Sequence, residues 1–235
     1  MPSDEPAGFE ILYEQGPLLI VAKPGGLLTQ APPGIDSLES RVREFLKRRD
    51  AKTGNIYLAV LHRLDRPVSG VLALARHVRA ARRVAQQFED RTVRKTYWAI
   101  VEGVVEPESG VWTDHLRKIP GEPRAEVVPA DHPEGRIAVL HYRTLQHLAN
   151  QTWLEIELET GRTHQIRVQA ASRGHPVLGD ELYGASSPFG PQTEDPRERC
   201  IALHARSLEL RHPMTGEAVF VEAPLPDAWS SFSES

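Results

Sequence analysis

His62-Arg63-Leu64-Asp65-Arg66-Pro67-Val68-Ser69-Gly70 is a charged, turn-forming nonapeptide set between two apolar runs, Tyr57-Leu58-Ala59-Val60-Leu61 and Val71-Leu72-Ala73-Leu74-Ala75. The runs read as strands and the nonapeptide as the loop between them. It places one carboxylate, Asp65, between the guanidinium groups of Arg63 and Arg66. Loops held by flanking strands are where reactive side chains usually sit, because the scaffold fixes them while the exposed backbone lets a substrate approach. On composition alone Asp65-Arg66-Pro67 is more simply an ordinary turn, with Asp bonding its own backbone and Pro setting φ.

Working outward, Phe9-Glu10-Ile11-Leu12-Tyr13-Glu14 and Leu18-Leu19-Ile20-Val21-Ala22 predict a hairpin around Gly16-Pro17, leading into Lys23-Pro24-Gly25-Gly26-Leu27-Leu28. After Ala31-Pro32-Pro33-Gly34, Asp36 and Glu39 stand three apart as a capping box. Leu38, Val42, Phe45 and Leu46 then recur at helical spacing, with Arg41, Arg43, Lys47, Arg48 and Arg49 outward. A second helix is expected over 77–90, with Val78, Ala81, Val84, Ala85 and Phe88 on one face, followed by a strand over 93–101 in which Lys95 and Tyr97 point the same way.

Residues 106–150 are punctuated by Pro and Gly, with β-like runs at 111–112, 125–128 and 137–142, and carry no motif. Trp153-Leu154-Glu155-Ile156-Glu157-Leu158-Glu159 alternates as a half-exposed strand with Leu154, Ile156 and Leu158 inward. It delivers Thr160-Gly161-Arg162-Thr163-His164-Gln165-Ile166-Arg167 and a helical stretch to Arg173-Gly174. Then come His175-Pro176-Val177-Leu178-Gly179-Asp180-Glu181-Leu182-Tyr183-Gly184, a mobile loop over 186–199, and a closing hairpin through Val219 to Glu222. Irregularly interleaved strands, several hairpins and two or three helices favour an α+β fold with a mainly antiparallel sheet over a doubly wound parallel one.

The totals narrow the function. With 235 residues, 40% hydrophobic and 26% charged, the chain can bury a sizeable core. The start has neither a basic n-region nor an apolar h-region, and no run approaches the ~18 apolar residues of a membrane span. A cytoplasmic location with no membrane partner is expected. One cysteine, Cys200, excludes an internal disulfide framework, and ten scattered histidines show no HExxH and no i, i+4 pair. No metal is therefore expected. Net charge is −4, yet residues 41–95 hold 15 of the 28 Lys/Arg and only 5 of the 32 Asp/Glu. A basic stripe on an otherwise acidic chain is the electrostatic footprint expected for a polyphosphate partner; for Arg79, Arg82 and Arg83 alone it reads equally as a solvated helical face.

The nonapeptide closely resembles the His-Arg-Leu-Asp-x-x-(Thr)-Ser-Gly signature of the RluA-type pseudouridine synthases. The Lys23-Pro24-Gly25-Gly26 loop, Lys95-Thr96-Tyr97, the 160–167 segment and the 175–184 segment are similar to further motifs of that family. The resemblance covers roughly residues 9–225. It implies a mixed sheet with a central active-site cleft and a single catalytic domain over 9–229, between unstructured ends at 1–8 and 230–235. No separate N-terminal RNA-binding domain is expected.

The resemblance implies an isomerase that converts uridine to pseudouridine in structured rRNA or tRNA, with neither metal nor organic cofactor, acting as a monomer without an obligatory protein partner. Asp65 would be the catalytic residue acting on the ribose of the target uridine, by a covalent ribosyl ester or by a glycal-type elimination. A carboxylate suits either route because it can attack or assist and leave again. Arg167 would keep Asp65 ionised in a dry pocket, and Tyr97 would stack on the uracil and take part in moving the C5 proton. Arg63 would fill the space of the flipped uridine. Arg66, Lys95, Arg162, His164 and Gln165 would hold the RNA or support the site, while Ser69 and Gly70 would shape the loop. The chain departs from the pattern at Val68, where the family often has Thr, and Pro67 stiffens the turn.

Two other functions compete. A catalytically silent RNA-binding relative would use the same basic cleft, and intact Asp65, Tyr97 and Arg167 argue against it. A metal-assisted phosphodiesterase built on the histidines lacks any ligand-spaced cluster.

Overall fold

The structure, a computed structural model, describes residues 8–233. In chain order the strands are β1 (Glu10–Gln15), β2 (Leu18–Lys23), β3 (Ala59–Val60), β4 (Ser69–Ala75), β5 (Arg94–Glu102), β6 (Ser109–Lys118), β7 (Ala125–Val128), β8 (Arg136–Leu148), β9 (Gln151–Leu158), β10 (Leu203–Arg211) and β11 (Ala218–Glu222). The α-helices are α1 (Leu38–Arg49), α2 (Val78–Glu89), α3 (Gln165–Ala171) and α4 (Ser230–Ser233). Mainly antiparallel strands with few helices make this an α+β fold, as the sequence predicts. The chain divides into two compact units, one of residues up to Val93 with Ala205–Pro226, the other of Arg94–His204 with the residues from Asp227 onward.

In the first unit the strand order is β1-β2-β4-β10, with β3 against β4 and β11 against β10. β4 is buried at every residue, so its run of apolar residues has both faces covered and shows no alternation. Leu18, Ile20, Val71, Ala73, Leu208, Leu210, Val219 and Val221 form one core with Val84 of α2. The antiparallel register of β2 and β4 runs from Leu18 opposite Ala75 to Lys23 opposite Gly70. That brings the Lys23 loop to the same sheet end as the nonapeptide.

Local details differ from the sequence reading. The cap of α1 is Ser37, whose hydroxyl accepts from the Ser40 N–H while the Ser40 hydroxyl accepts from the Ser37 N–H. The box therefore lies one residue beyond Asp36 and Glu39, which pair instead with Arg41 and Arg43. On α2 the buried residues are Ala80 and Val84, and Val78 is exposed. The predicted strand at 57–61 shortens to Ala59–Val60.

In the second unit the order is β5-β9-β8-β6-β7. The motif-free middle of the sequence supplies three strands, with β6 pairing both β7 and β8. Trp229 is 1% exposed and packs on Trp153, Phe189 and His204. Residues 230–233, expected to lack structure, form α4, and Phe232 stacks on Phe189. The loop over 186–199, read as mobile, is anchored by buried Phe189 and by Ser186 and Ser187, which donate to Glu102. The remaining expected disorder, residues 1–7 and 234–235, lies outside the described residues.

Candidate functional site

The nonapeptide of the first unit is fixed on both sides of Asp65. Upstream, the Ala73 N–H donates to His62 Nε2 at 3.1 Å, and the His62 ring lies against Phe88. Leu64 is buried, and the buried Thr29 hydroxyl accepts from its N–H at 3.2 Å and donates to its carbonyl at 2.8 Å. Downstream, Lys23 Nζ donates to the carbonyls of Pro24 (2.8 Å), Leu27 (2.7 Å) and Arg66 (3.2 Å). Lys23 is 1% exposed, and a buried ammonium needs such acceptors because desolvation otherwise disfavours its charge.

The Val68 N–H closes the turn onto the Asp65 carbonyl at 3.1 Å. Val68 is buried, so this departure from the family pattern fills core volume. Gly70 sits at φ +120°, where a Cβ would stand 2.2 Å from the Ala205 carbonyl oxygen. Only glycine allows this approach of β10. Ser69 is buried, Asp65 and Arg66 are half-buried, and Arg63 is exposed.

The second unit carries the other candidates. Tyr97 is 8% exposed in the middle of β5, opposite Ile156 of β9. Lys95 Nζ lies 3.8 Å from where a Cβ on Gly161 would be, beside the 160–167 segment. Gln165 does not face outward. It is 3% exposed, its Oε1 accepts from the Thr160 hydroxyl (2.8 Å) and the Arg162 N–H (3.0 Å), and its Nε2 donates to the Val139 carbonyl. Gln165 therefore stitches this loop to β8, which, of the two expected roles of holding RNA or supporting the site, fits the second. Arg162 is exposed, with Nε donating to the Ile137 carbonyl at 2.9 Å. His164 takes a left-handed backbone, φ 54°, and its Nδ1 lies 2.8 Å from the Tyr183 hydroxyl. Such a conformation in a non-glycine residue costs free energy and persists where neighbours impose it.

Arg167 is buried. Its Nε and Nη2 donate to the two carboxylate oxygens of Asp180 at 2.6 and 2.8 Å, with the side chains 5% and 1% exposed. Its guanidinium lies 5.0 Å over the Tyr183 ring. The sequence reading assigned no role to Lys23, Thr29, Asp180 or Tyr183. All but Thr29 lie in motif segments quoted for the resemblance, and no local rule pairs them with Arg66, Arg167 or His164.

The basic stripe is partly neutralised. Arg41 pairs with Asp36, Arg43 with Glu39, Arg49 with Glu14 and Asp50, Arg76 with Glu14, and Arg94 with Glu157. The Arg49 guanidinium holds the Glu14 carboxyl below its ordinary value. Arg79 and Arg82 are exposed on α2. Among the described residues no group of three or more His, Cys, Asp or Glu could hold a metal ion, and no helix is long and apolar enough to cross a membrane.

The structure thus presents a half-exposed carboxylate, Asp65, on a loop pinned at both shoulders, with Arg63 and Arg66 close to it in sequence. A family model described as RNA pseudouridylate synthase matches residues 17–172. The chain is 36% identical over 225 residues to an uncharacterised RNA pseudouridine synthase of Synechocystis sp., covering 92% of this chain and 65% of that protein. It is 38% identical over 224 residues to ribosomal large subunit pseudouridine synthase D of Nitrosomonas europaea (93% and 62%). To the protein of the same name in Xanthomonas campestris pv. campestris it is 36% identical over 233 residues (96% and 68%). The chain thus spans a little under two thirds of the length of the first two relatives. Human RNA pseudouridylate synthase domain containing 4 has the same fold, with a TM-score of 0.76 at 25% identity over 94% of this chain and 90% of that one. The chain belongs to the RNA pseudouridylate synthase family.

Proposed function

We propose that this chain isomerises uridine to pseudouridine in structured RNA, with Asp65 acting on the ribose of a flipped uridine. The reaction breaks the N1–C1′ bond and forms C5–C1′; the C5 proton leaves and N1 gains one. The freed base must be held and turned between those events, so the acting carboxylate has to be fixed without being sealed from the substrate. The observation that carries the reading is the double pinning of the Asp65 loop, by Thr29 on Leu64 and by Lys23 on Arg66. Tyr97 and Arg167 would serve the same uridine, the first against the base and the second by favouring ionised Asp65. Arg63, exposed beside Asp65, would occupy the space the uridine vacates.

Several relatives are named as synthases of the large ribosomal subunit, which favours ribosomal over transfer RNA as substrate, in the cytoplasm. The test uses RNA tritiated at uridine C5. Release of label by the native chain, lost in Asp65→Ala and indifferent to EDTA, is the expected result. Release that survives Asp65→Ala, or that stops with EDTA, defeats the assignment. RNA affinity should also fall as salt rises, because phosphate contacts release counterions.

A further inference from the structure

We propose that Asp180 and Tyr183 are positioning residues for Arg167, fixing where its guanidinium delivers charge; this rests on the functional reading above, in which Arg167 serves the Asp65 chemistry. Arginine has a long, flexible stem, and a buried one needs its plane and its rotation within that plane both set. Asp180 sets the rotation, since the Nε and Nη2 edge meets both carboxylate oxygens in a parallel fork of 2.6 and 2.8 Å. Tyr183 sets the plane, its ring lying 5.0 Å beneath the guanidinium carbon. The fork and the ring together fix both the place and the orientation of the guanidinium.

Both positioning residues are themselves held. The Tyr183 hydroxyl accepts from the Ala125 N–H at 2.9 Å and meets His164 Nδ1 at 2.8 Å. The Asp180 carbonyl accepts from the N–H groups of Tyr183 and Ala185, and Gly179 at φ +80° has no room for a Cβ, which would lie 2.9 Å from the Cys200 carbonyl oxygen. A buried ion pair is a poor stabiliser compared with apolar packing of the same volume. Its distinctive yield is geometry, and a misplacement of about 1 Å at a reacting group costs turnover on the order of 100-fold.

The test measures kcat and KM for pseudouridine formation per folded molecule in Asp180→Asn, Tyr183→Leu and, as control, exposed Glu181→Gln. It also follows hydrogen exchange of the Arg167 Nε–H by NMR. Expected are a kcat about 100-fold lower in Asp180→Asn and about 10-fold lower in Tyr183→Leu, with KM within about threefold and Glu181→Gln unchanged. In both positioning variants Nε–H exchange should quicken by about 10-fold or more. If the variants melt earlier but keep the native kcat per folded molecule, the proposal is overturned. Should Asp180→Asn not fold, Tyr183→Leu at its half-exposed site decides alone. A native chain inactive on every RNA would defeat the functional reading instead. The exchange measurement would then decide, with equal rates in native and Tyr183→Leu protein overturning the positioning role.

Discussion

The Asp65 loop and the Arg167 helix are held in place by different physics. Around Asp65 the restraint comes from neighbours: a threonine hydroxyl on the Leu64 backbone, an ammonium on the Arg66 carbonyl and a glycine pressed against β10. At Arg167 the functional candidate is itself half of the restraint, paired with Asp180 at 5% and 1% exposure. A side chain fixed through its neighbours can be replaced without unfolding its surroundings. One that belongs to a buried ion pair cannot, because its loss leaves an uncompensated charge.

The sharpest way to break this comparison is to substitute the two residues in parallel. Asp65→Ala should lower pseudouridine formation on the order of 10⁴-fold or more while moving the Tm by no more than about 2 °C. A fall in Tm like that of an Arg167 variant would show that Asp65 also carries structure. Arg167→Ala should lose activity and, measured by urea unfolding, about 3–5 kcal/mol of stability. Arg167→Leu combined with Asp180→Leu should recover much of the stability and none of the activity, since apolar replacement of a buried pair is often neutral. An inert Arg167→Ala would place the pair's charge in water, against its burial.

The next effect tests the neighbour restraint. Thr29→Val keeps volume and removes both bonds to Leu64, leaving a buried N–H and carbonyl unpaired at a cost of about 1–3 kcal/mol. Turnover should fall roughly 10-fold through the loosened loop, a fraction of the 100-fold that about 1 Å of misplacement costs. Unchanged turnover in Thr29→Val would mean that Lys23 and Gly70 suffice to fix Asp65.

How far the sequence carries follows the same division. The nonapeptide was legible because its information is local: strands on either side, a Pro turn, a glycine, and a long match to one family. The α+β class was legible because hairpin spacing and alternation are local too. Arg167 was legible as a residue and not as half of a pair, since Asp180 lies thirteen positions on and any acid of the chain competes for it on paper. The role of Lys23 is not legible for a related reason: lysine is almost never buried, and nothing near Lys-Pro-Gly-Gly indicates that three carbonyls converge there. Asp36 and Glu39 satisfy the spacing of a capping box as well as Ser37 and Ser40 do, and spacing alone does not say which of the two adjacent residues, 36 or 37, begins the helix.

The smallest expected effect concerns a third anchoring mode, a carboxylate held by amides, in the loop that follows Tyr183. Glu102 accepts from the N–H groups of Ser186 and Ser187 and from the Ser186 hydroxyl. Burial pushes its carboxyl up, but these bonds outweigh it and hold the carboxyl below the ordinary 4.5. A depressed folded-state pKa means stability that is fully present above pH 4.5 and is lost as pH falls below it toward the folded-state value, amounting here to about 1 kcal/mol or less. Amide exchange at Ser186 and Ser187, corrected for intrinsic rates, should therefore quicken below pH 4.5 in the native chain. In Glu102→Gln it should be faster at neutral pH and show no such step. If the native protection stays flat from pH 6 to pH 3, the loop is held by Phe189 packing alone. Anchoring by charge would then be confined, in this unit, to buried pairs such as Arg167 and Asp180.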